Sequence, residues 1–351
     1  MKNLIKFIFA IALSAMTCAH ASTWELYDSF MKLHYVDGRI IDFDEKGNPF
    51  TTTEGQSYAM FFALVQKDKN RFDKLLNFVE KEMCEGSFDK KLPAWKWAAG
   101  KVVDSNNATD SDMFIAYNLF NAADIFNDES YKTKAMAILS NLKKNCIAKN
   151  KVIGSVILPG TYGFNSNGEI KLNPSYFPPF VMQKLSSYDD DFKVYYQNAL
   201  NAIARGSESG FAPDWIVINQ DGNILTSKAN IGAYEAIRVY LWLGITAKTD
   251  PNRRLMIPLY QNMIKKVNKD HYVPEKVNLS TLETSGRGIV GFEASMIALA
   301  DEKIKDLFRT RVKNHVFGKK EYYSHSLCLF ATGFDEHRYE FTQNGSLLLG
   351  K

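Results

Sequence analysis

The stretch Asp112-Met113-Phe114-Ile115-Ala116-Tyr117-Asn118-Leu119-Phe120-Asn121-Ala122-Ala123-Asp124-Ile125 decides the fold class. Its apolar residues recur at the period of a helix. The same reading extends to both sides. Upstream, Gln56 to Val65 reads as an apolar helix. Arg71 to Glu82 reads as an amphipathic one with Phe72, Leu75, Leu76 and Val79 on one face. Downstream, Ser130 to Lys144, Phe192 to Arg205, Ala233 to Gly244, Arg253 to Val267 and Gly291 to Leu299 repeat the pattern. Loops rich in Gly, Pro, Asn and Asp, such as Gly160 to Gly168 and Asn173 to Pro179, separate many of them. Strand-like alternation is confined to short pieces, Val152 to Leu158 and Trp215 to Ile218. The expectation is an all-α chain of stacked helical hairpins. Such hairpins can close into a double ring whose loops form a site at one end, although periodicity alone does not separate a toroid from a bundle.

The ends set the compartment. Lys2 and Lys6 precede an apolar run from Phe7 to Met16, which closes on Ala19-His20-Ala21. A basic start, a short apolar stretch and small residues at the cleavage point describe a secretory signal peptide. The run is shorter than the roughly 20 apolar residues a bilayer span needs. Met16-Thr17 before Cys18 makes a poor lipoprotein signal. Residues 1–21 are read as the signal peptide and 22–351 as a single domain, since no linker or repeat interrupts them. The mature protein is expected in the periplasm or outside the cell, with no stable membrane insertion after cleavage.

Three cysteines remain in the mature chain, Cys84, Cys146 and Cys328. An odd, sparse set without ligand spacing argues against a disulfide framework and against a zinc or other metal site. A single disulfide stays open in an oxidising compartment. The net charge of +4 is small, and no basic cluster stands out, which disfavours nucleic acid as a partner. Aromatics make up 13% of the chain, and they fit either stacking on sugar rings or filling a core.

Three segments are more polar than a plain helical scaffold needs. The first is Thr51-Thr52-Thr53-Glu54-Gly55-Gln56-Ser57-Tyr58-Ala59-Met60. Thr53 is placed to cap the helix, with Gln56 completing a capping box. Glu54 then falls in the first turn, where the helix dipole favours its charge. On the rim of a site the same Glu54 would serve as a catalytic acid with a pKa raised by burial. The second segment runs from Asp104 to Tyr117 and carries Asp110 and Asp112 at a helix start. Capping accounts for such a pair. Calcium binding is an alternative, but the segment lacks the glycine and final Glu of an EF-hand loop. The third runs from Gly232 to Trp242, where Glu235 and Arg238 are spaced to pair along a helix. An acid amid so much apolar surface needs a partner or a task.

Together these segments resemble family-8 glycoside hydrolases, and among them the endoglucanases associated with bacterial cellulose synthesis. The resemblance rests on Glu54-Gly55-Gln56-Ser57-Tyr58, Leu92-Pro93-Ala94-Trp95-Lys96-Trp97 and Ala108-Thr109-Asp110-Ser111-Asp112 continuing through Ile115-Ala116. It continues with Leu158-Pro159-Gly160, Leu172-Asn173-Pro174-Ser175-Tyr176, Tyr234 to Trp242, Tyr322-Tyr323 through Leu329-Phe330, and Arg338-Tyr339. It therefore spans nearly the whole mature chain. The resemblance implies an (α/α)6 barrel and inverting hydrolysis of β-1,4-glucan without a cofactor. It makes Glu54 the general acid, Asp110 the group that holds the distorted sugar at the cleavage point, and Glu235 the base. It also implies possible service beside a cellulose synthase complex.

The chain departs from the family pattern at the base, where Asp is usual. Glutamate can accept the water's proton if it reaches. Its extra methylene changes that reach by about 1.5 Å, and a misplacement of about 1 Å can cost on the order of a hundredfold in rate. Ser111 stands where Ala or Gly is usual, and Phe126 where Trp is usual. A substrate platform is read at Trp95, Trp97, Tyr176 and Trp215, with Arg238 beside Glu235. The competing readings are a hydrolase of chitosan, xylan or mixed-linkage glucan, and a non-hydrolytic glycan-binding subunit of an exopolysaccharide export system.

Overall fold

The computed structural model describes residues 24–350. The signal-peptide reading of residues 1–21 lies outside them. Thirteen helices are described: α1 Glu25–His34, α2 Thr53–Val65, α3 Lys69–Phe78, α4 Thr109–Phe126, α5 Ser130–Asn145, α6 Pro179–Ser186, α7 Asp190–Gly206, α8 Ala236–Ile245, α9 Pro251–Met256, α10 Gln261–Asp270, α11 Val290–Ser295, α12 Glu302–Asn314 and α13 Tyr322–Asp335.

Burial sorts these helices into two shells. Every residue of α8 is buried, and so is every residue of α2 except Glu54. On α4, burial runs from Thr109 to Ala123 with Asp110 as the one exception. A helix that is apolar all round belongs inside. By contrast α3, α7, α10 and α12 bury a single face, such as Phe72, Leu75 and Leu76 on α3. Helices α2, α4, α6, α8, α11 and α13 pack on one another in succession. Phe330 of α13 closes the ring, its side chain lying 5.0, 5.2 and 4.7 Å from the rings of Tyr58, Phe61 and Phe62 on α2. The outer helices α3, α5, α7 and α12 each pack against the inner helix next to them in sequence, and α1 packs on α13. Gly333 permits that last approach, because a Cβ there would stand 2.8 Å from Trp24. This is the double ring that the family resemblance implies and that helical periodicity alone left open beside a bundle.

Several boundaries differ from the sequence reading for identifiable reasons. The single helix expected over Arg253 to Val267 is two, α9 and α10, joined by a 3₁₀ turn Ile257–Tyr260. Pro258 lacks the N–H that a continuous helix needs. The helix read to Glu82 ends at Phe78 and continues as a π-helical turn, Val79–Met83. The helix read from Ala233 begins at Ala236, and the one read to Leu299 ends at Ser295. The cap of α2 is Thr52, whose Oγ1 accepts from Gly55 N at 3.1 Å, and not Thr53. Gln56 completes no capping box. Its side chain accepts from Ile40 N at 2.6 Å and donates to the carbonyls of Gly38 and Leu75, fastening α2 to the preceding hairpin and to α3.

Small antiparallel sheets decorate the ring. One joins strands Asp42–Phe43, Pro49–Thr52, Lys96–Ala98 and Lys101–Asp104 in that order, and it delivers the chain to the start of α2. Cys84, Cys146 and Cys328 are all free and buried. Among the described residues no helix is long and apolar enough to cross a membrane.

Candidate active site

Glu54, Asp110 and Glu235 sit at the N-terminal ends of three inner helices, where the buried surface of the ring gives way to open residues. Glu54 is the second residue of α2 and Asp110 the second of α4, while Glu235 immediately precedes α8. Each segment is fixed by its own backbone contacts. Thr53 N donates to Trp95 O at 3.0 Å, and Trp95 N donates to Asn106 O at 2.8 Å. The backbone of Trp95 thus ties the Glu54 segment to the loop that leads to Asp110. Thr109 anchors the start of α4, its N and Oγ1 donating to Pro159 O and Leu158 O at 3.0 and 2.7 Å. Asp214 holds the turn before α8, its Oδ1 accepting from Ala233 N at 2.7 Å and Ala236 N at 2.8 Å.

Arg238, one turn into α8, is the hub. Its Nη1 donates to Glu54 Oε2 and its Nη2 to Glu235 Oε2. Nε and Nη2 also donate to Ser175 Oγ at 3.2 and 3.0 Å. The guanidinium is only 5% exposed, whereas Glu54 keeps 22% and Glu235 33% of its side-chain surface open. Tyr322, on the last inner helix, donates its hydroxyl to Glu54 Oε1 at 3.3 Å. Asn173 donates through Nδ2 to Glu235 Oε2 at 2.8 Å.

Three carboxylates gather near one guanidinium in a confined space, and burial raises the proton affinity of two of them, Glu54 and Asp110. Burial pushes Glu54 up to about 7, against the pull of Arg238 and with added repulsion from Asp110 and Glu235. Burial likewise raises Asp110 to about 6, opposed by Arg238 and reinforced by Glu235. The helix dipole at each N-terminus favours the anion, so desolvation is the larger effect here. The arrangement offers an acid that can hold a proton at neutral pH beside a second carboxylate engaged by a cation.

The two acids at the start of α4 part company. Asp110 faces the site and accepts from Ser111 N at 2.7 Å. Asp112 turns inward and is fully buried, its Oδ2 accepting from Asn107 Nδ2 at 2.7 Å. Asn107 Oδ1 in turn accepts from the N and Oγ1 of Thr161, both at 2.8 Å. Burial raises the Asp112 carboxyl well above the usual range. Asp112 is a structural lock on the loop.

The aromatic residues divide similarly. Tyr176 lies on the 3₁₀ turn Pro174–Tyr176, with the Arg238 guanidinium 6.0 Å from its ring. Trp215 is 6.3 Å from Tyr176, stacks against Phe164 at 6.0 Å and carries the Lys171 ammonium 4.1 Å from its centroid. The Trp95 indole lies beside the Asp104 carboxylate and helps hold it below its usual range. Trp97 is engaged by the Arg39 guanidinium at 4.2 Å and the edge of Phe78 at 5.3 Å, and not by the carboxylate cluster. The sequence reading assigned no role to Asn173, Ser175, Tyr322 or Asp214. Asn173-Pro174-Ser175 read as a loop and as part of the family resemblance, with no task for either polar side chain, and Tyr322 lies 268 residues from the acid it touches.

Comparison with known proteins agrees with this geometry. The model of glycosyl hydrolases family 8 matches residues 1–337. An endoglucanase of Escherichia coli O157:H7 is 33% identical over 348 residues, covering 96% of this chain and 94% of the relative. An endoglucanase of Xanthomonas axonopodis pv. citri is 32% identical over 346 residues, covering 93% and 88%. The crystal structure of endo-1,4-D-glucanase from Vibrio fischeri ES114 is similar with a TM-score of 0.86 at 28% identity, over 93% of this chain and 99% of that one. A double ring of helices with acidic residues at one end of its inner shell is the (α/α)6 barrel of a glycoside hydrolase. The chain belongs to glycosyl hydrolase family 8.

Proposed function

We propose that the protein is an endo-β-1,4-glucanase acting on cellulose-type chains with inversion at the anomeric carbon. Glu54 protonates the leaving glycosidic oxygen, Glu235 takes a proton from the attacking water, and Asp110 hydrogen-bonds the sugar at the cleavage point. Arg238 is a positioning group in this scheme, because four of its five N–H donors are engaged by Glu54, Glu235 and Ser175. Tyr176, Trp215 and Trp95 supply stacking surface for pyranose rings. The observation that carries the reading is the pairing of Glu54, an acid whose pKa rises to about 7, with a second carboxylate on the same guanidinium. Inverting glycosidases need such an acid and base flanking one bond.

The N-terminal basic and apolar pattern supports export of the mature chain 22–351 to the periplasm or beyond. The motif resemblance supports service in cellulose or exopolysaccharide synthesis beside a synthase complex. The endoglucanase names of the relatives support the choice of polymer.

Purified protein is expected to lower the viscosity of carboxymethylcellulose and to release α-anomeric ends visible by NMR. Glu54→Gln should lose both activities by about 10²–10⁴-fold. In the wild type, kcat/KM should fall as pH rises through about 7, where free Glu54 loses its proton. Turnover on xylan, chitosan or mixed-linkage glucan in place of cellulose would reassign the polymer. Glucan binding with no turnover on any of them would establish a non-hydrolytic subunit.

A further inference from the structure

We propose that Asn173 is the positioning residue of the base, setting which oxygen of Glu235 receives the proton from water. The inference rests on the hydrolase reading above and adds an atom-level assignment to it.

Asn173 is fully buried at the entry to the 3₁₀ turn Pro174–Tyr176. Its Oδ1 accepts from Ser175 N at 3.0 Å and from Ser175 Oγ at 2.8 Å. Those two donors fix the amide orientation, since the nitrogen end could accept neither hydrogen. Nδ2 therefore faces Glu235 and donates to Oε2 at 2.8 Å. Ser175 Oγ, having given its proton to Asn173, presents its lone pairs to Nε and Nη2 of Arg238. Arg238 Nη2 then donates to the same Glu235 oxygen. Asn173, Ser175 and Arg238 form a closed loop of donors and acceptors around one carboxylate oxygen.

This loop makes the Glu235 carboxylate one-sided. Oε2 has two N–H donors, one of them charged, and Oε1 accepts no hydrogen bond from the described residues. With 33% of its side chain open, Glu235 can show Oε1 to solvent and substrate. The proton-accepting atom is Oε1. In the reaction one O–H bond of water breaks and its proton passes to Oε1, while the water oxygen bonds the anomeric carbon. The glycosidic C–O bond breaks with its electron pair on the leaving oxygen, which takes the proton of Glu54. Asn173 touches neither water nor sugar in this scheme, and it acts by holding Glu235.

The longer acid of this chain belongs to the same device. Shortening Glu235 by one methylene withdraws the carboxylate by about 1.5 Å, enough to break the 2.8 Å contact with Asn173. Glutamate thus reaches Asn173 from this backbone position, where a shorter acid on the same backbone would fall short.

The test measures kcat and KM on carboxymethylcellulose and on cellohexaose for wild type, Asn173→Ala, Asn173→Asp and Glu235→Asp, with a thermal melt of each. Asn173→Asp keeps the shape and removes the N–H, so it decides the matter if Asn173→Ala does not fold. Expected is a loss of roughly tenfold to a hundredfold in kcat with KM nearly unchanged for both Asn173 variants, and a slower Glu235→Asp enzyme. Activity of Asn173→Asp relative to wild type at the same pH should recover as pH falls, because the protonated acid again offers a donor, and a merely structural role would not change that ratio. Wild-type turnover with both Asn173 variants within about twofold of it, or loss confined to KM, overturns the assignment and leaves the hydrolase reading standing. A wild type inactive on every β-1,4-glycan overturns both.

Discussion

Glu54 shows how one side chain can make stability and function pull in opposite directions. Its carboxyl rises from 4.5 to about 7 on folding, chiefly by burial. An acid with a folded-state pKa above its unfolded value costs nothing below the unfolded one. The cost grows as pH rises from about 4.5 to about 7 and then levels off. Glu54→Gln removes the charge that burial opposes while keeping the shape. The variant should therefore melt higher than wild type at pH 8, by on the order of a few degrees, with little difference at pH 4. Melting curves at both pH values check this, and a gap that shrinks toward high pH would refute it. The same substitution removes the acid proton from catalysis, so the more stable protein is the inactive one. Such placement is common where a site needs a protonated carboxyl at neutral pH.

At the scale of elements, the three carboxylates depend on how their helices begin. Thr52 caps α2, Thr109 pins α4, and Asp214 gathers the turn before α8. Asp214 reaches this turn from a different segment, and its Oδ1 satisfies backbone donors that the first turn of a helix leaves unpaired. Asp214→Ala should cost about 1 kcal/mol of stability and also lower kcat, since Glu235 rides on the released turn. Asp214→Asn keeps an acceptor and should lose less of both. Equal kcat in the two variants would show that the turn holds without the cap. Helix α13 illustrates why some elements escaped the periodic reading. Ser324, His325, Ser326, Leu327 and Cys328 are consecutive and all buried, so polar and apolar residues share the same interior and no stripe stands out.

Over the whole molecule, the ring holds together through aromatic residues at its centre. Phe330 meets Tyr58, Phe61 and Phe62 of α2, Phe114 of α4 and Trp242 of α8 at ring separations of 4.7–5.9 Å. Truncating it opens a cavity shared by several helices that cannot all relax inward. Phe330→Ala should cost about 3–5 kcal/mol, whereas the exposed Val316→Ala should change stability by less than about 0.5 kcal/mol. Chemical denaturation of both variants tests the contrast, and similar midpoints would mean that the ring is not closed through Phe330. Because α2, α4 and α8 all meet at this residue, the spacing of Glu54, Asp110 and Glu235 depends on it, although it lies in the core.

The sequence by itself determined that helices would dominate, since apolar residues at helical spacing must bury a face wherever they occur. It also marked Glu235, with Arg238 at pairing distance, as an acid amid apolar surface that needs a partner or a task, while the family resemblance singled out Glu54 and Asp110. Local pattern could not separate Asp110 from Asp112, two residues apart on one helix, because only the packing around α4 sends one to the site and the other to Asn107. Nor could it place Tyr322 against Glu54, join Asn173 and Ser175 to Arg238, or set Trp97 apart from the carboxylate cluster. Those relations cross the ring between segments far apart in the chain. Spacing along one helix reports its own neighbours, and closure of the ring selects the rest.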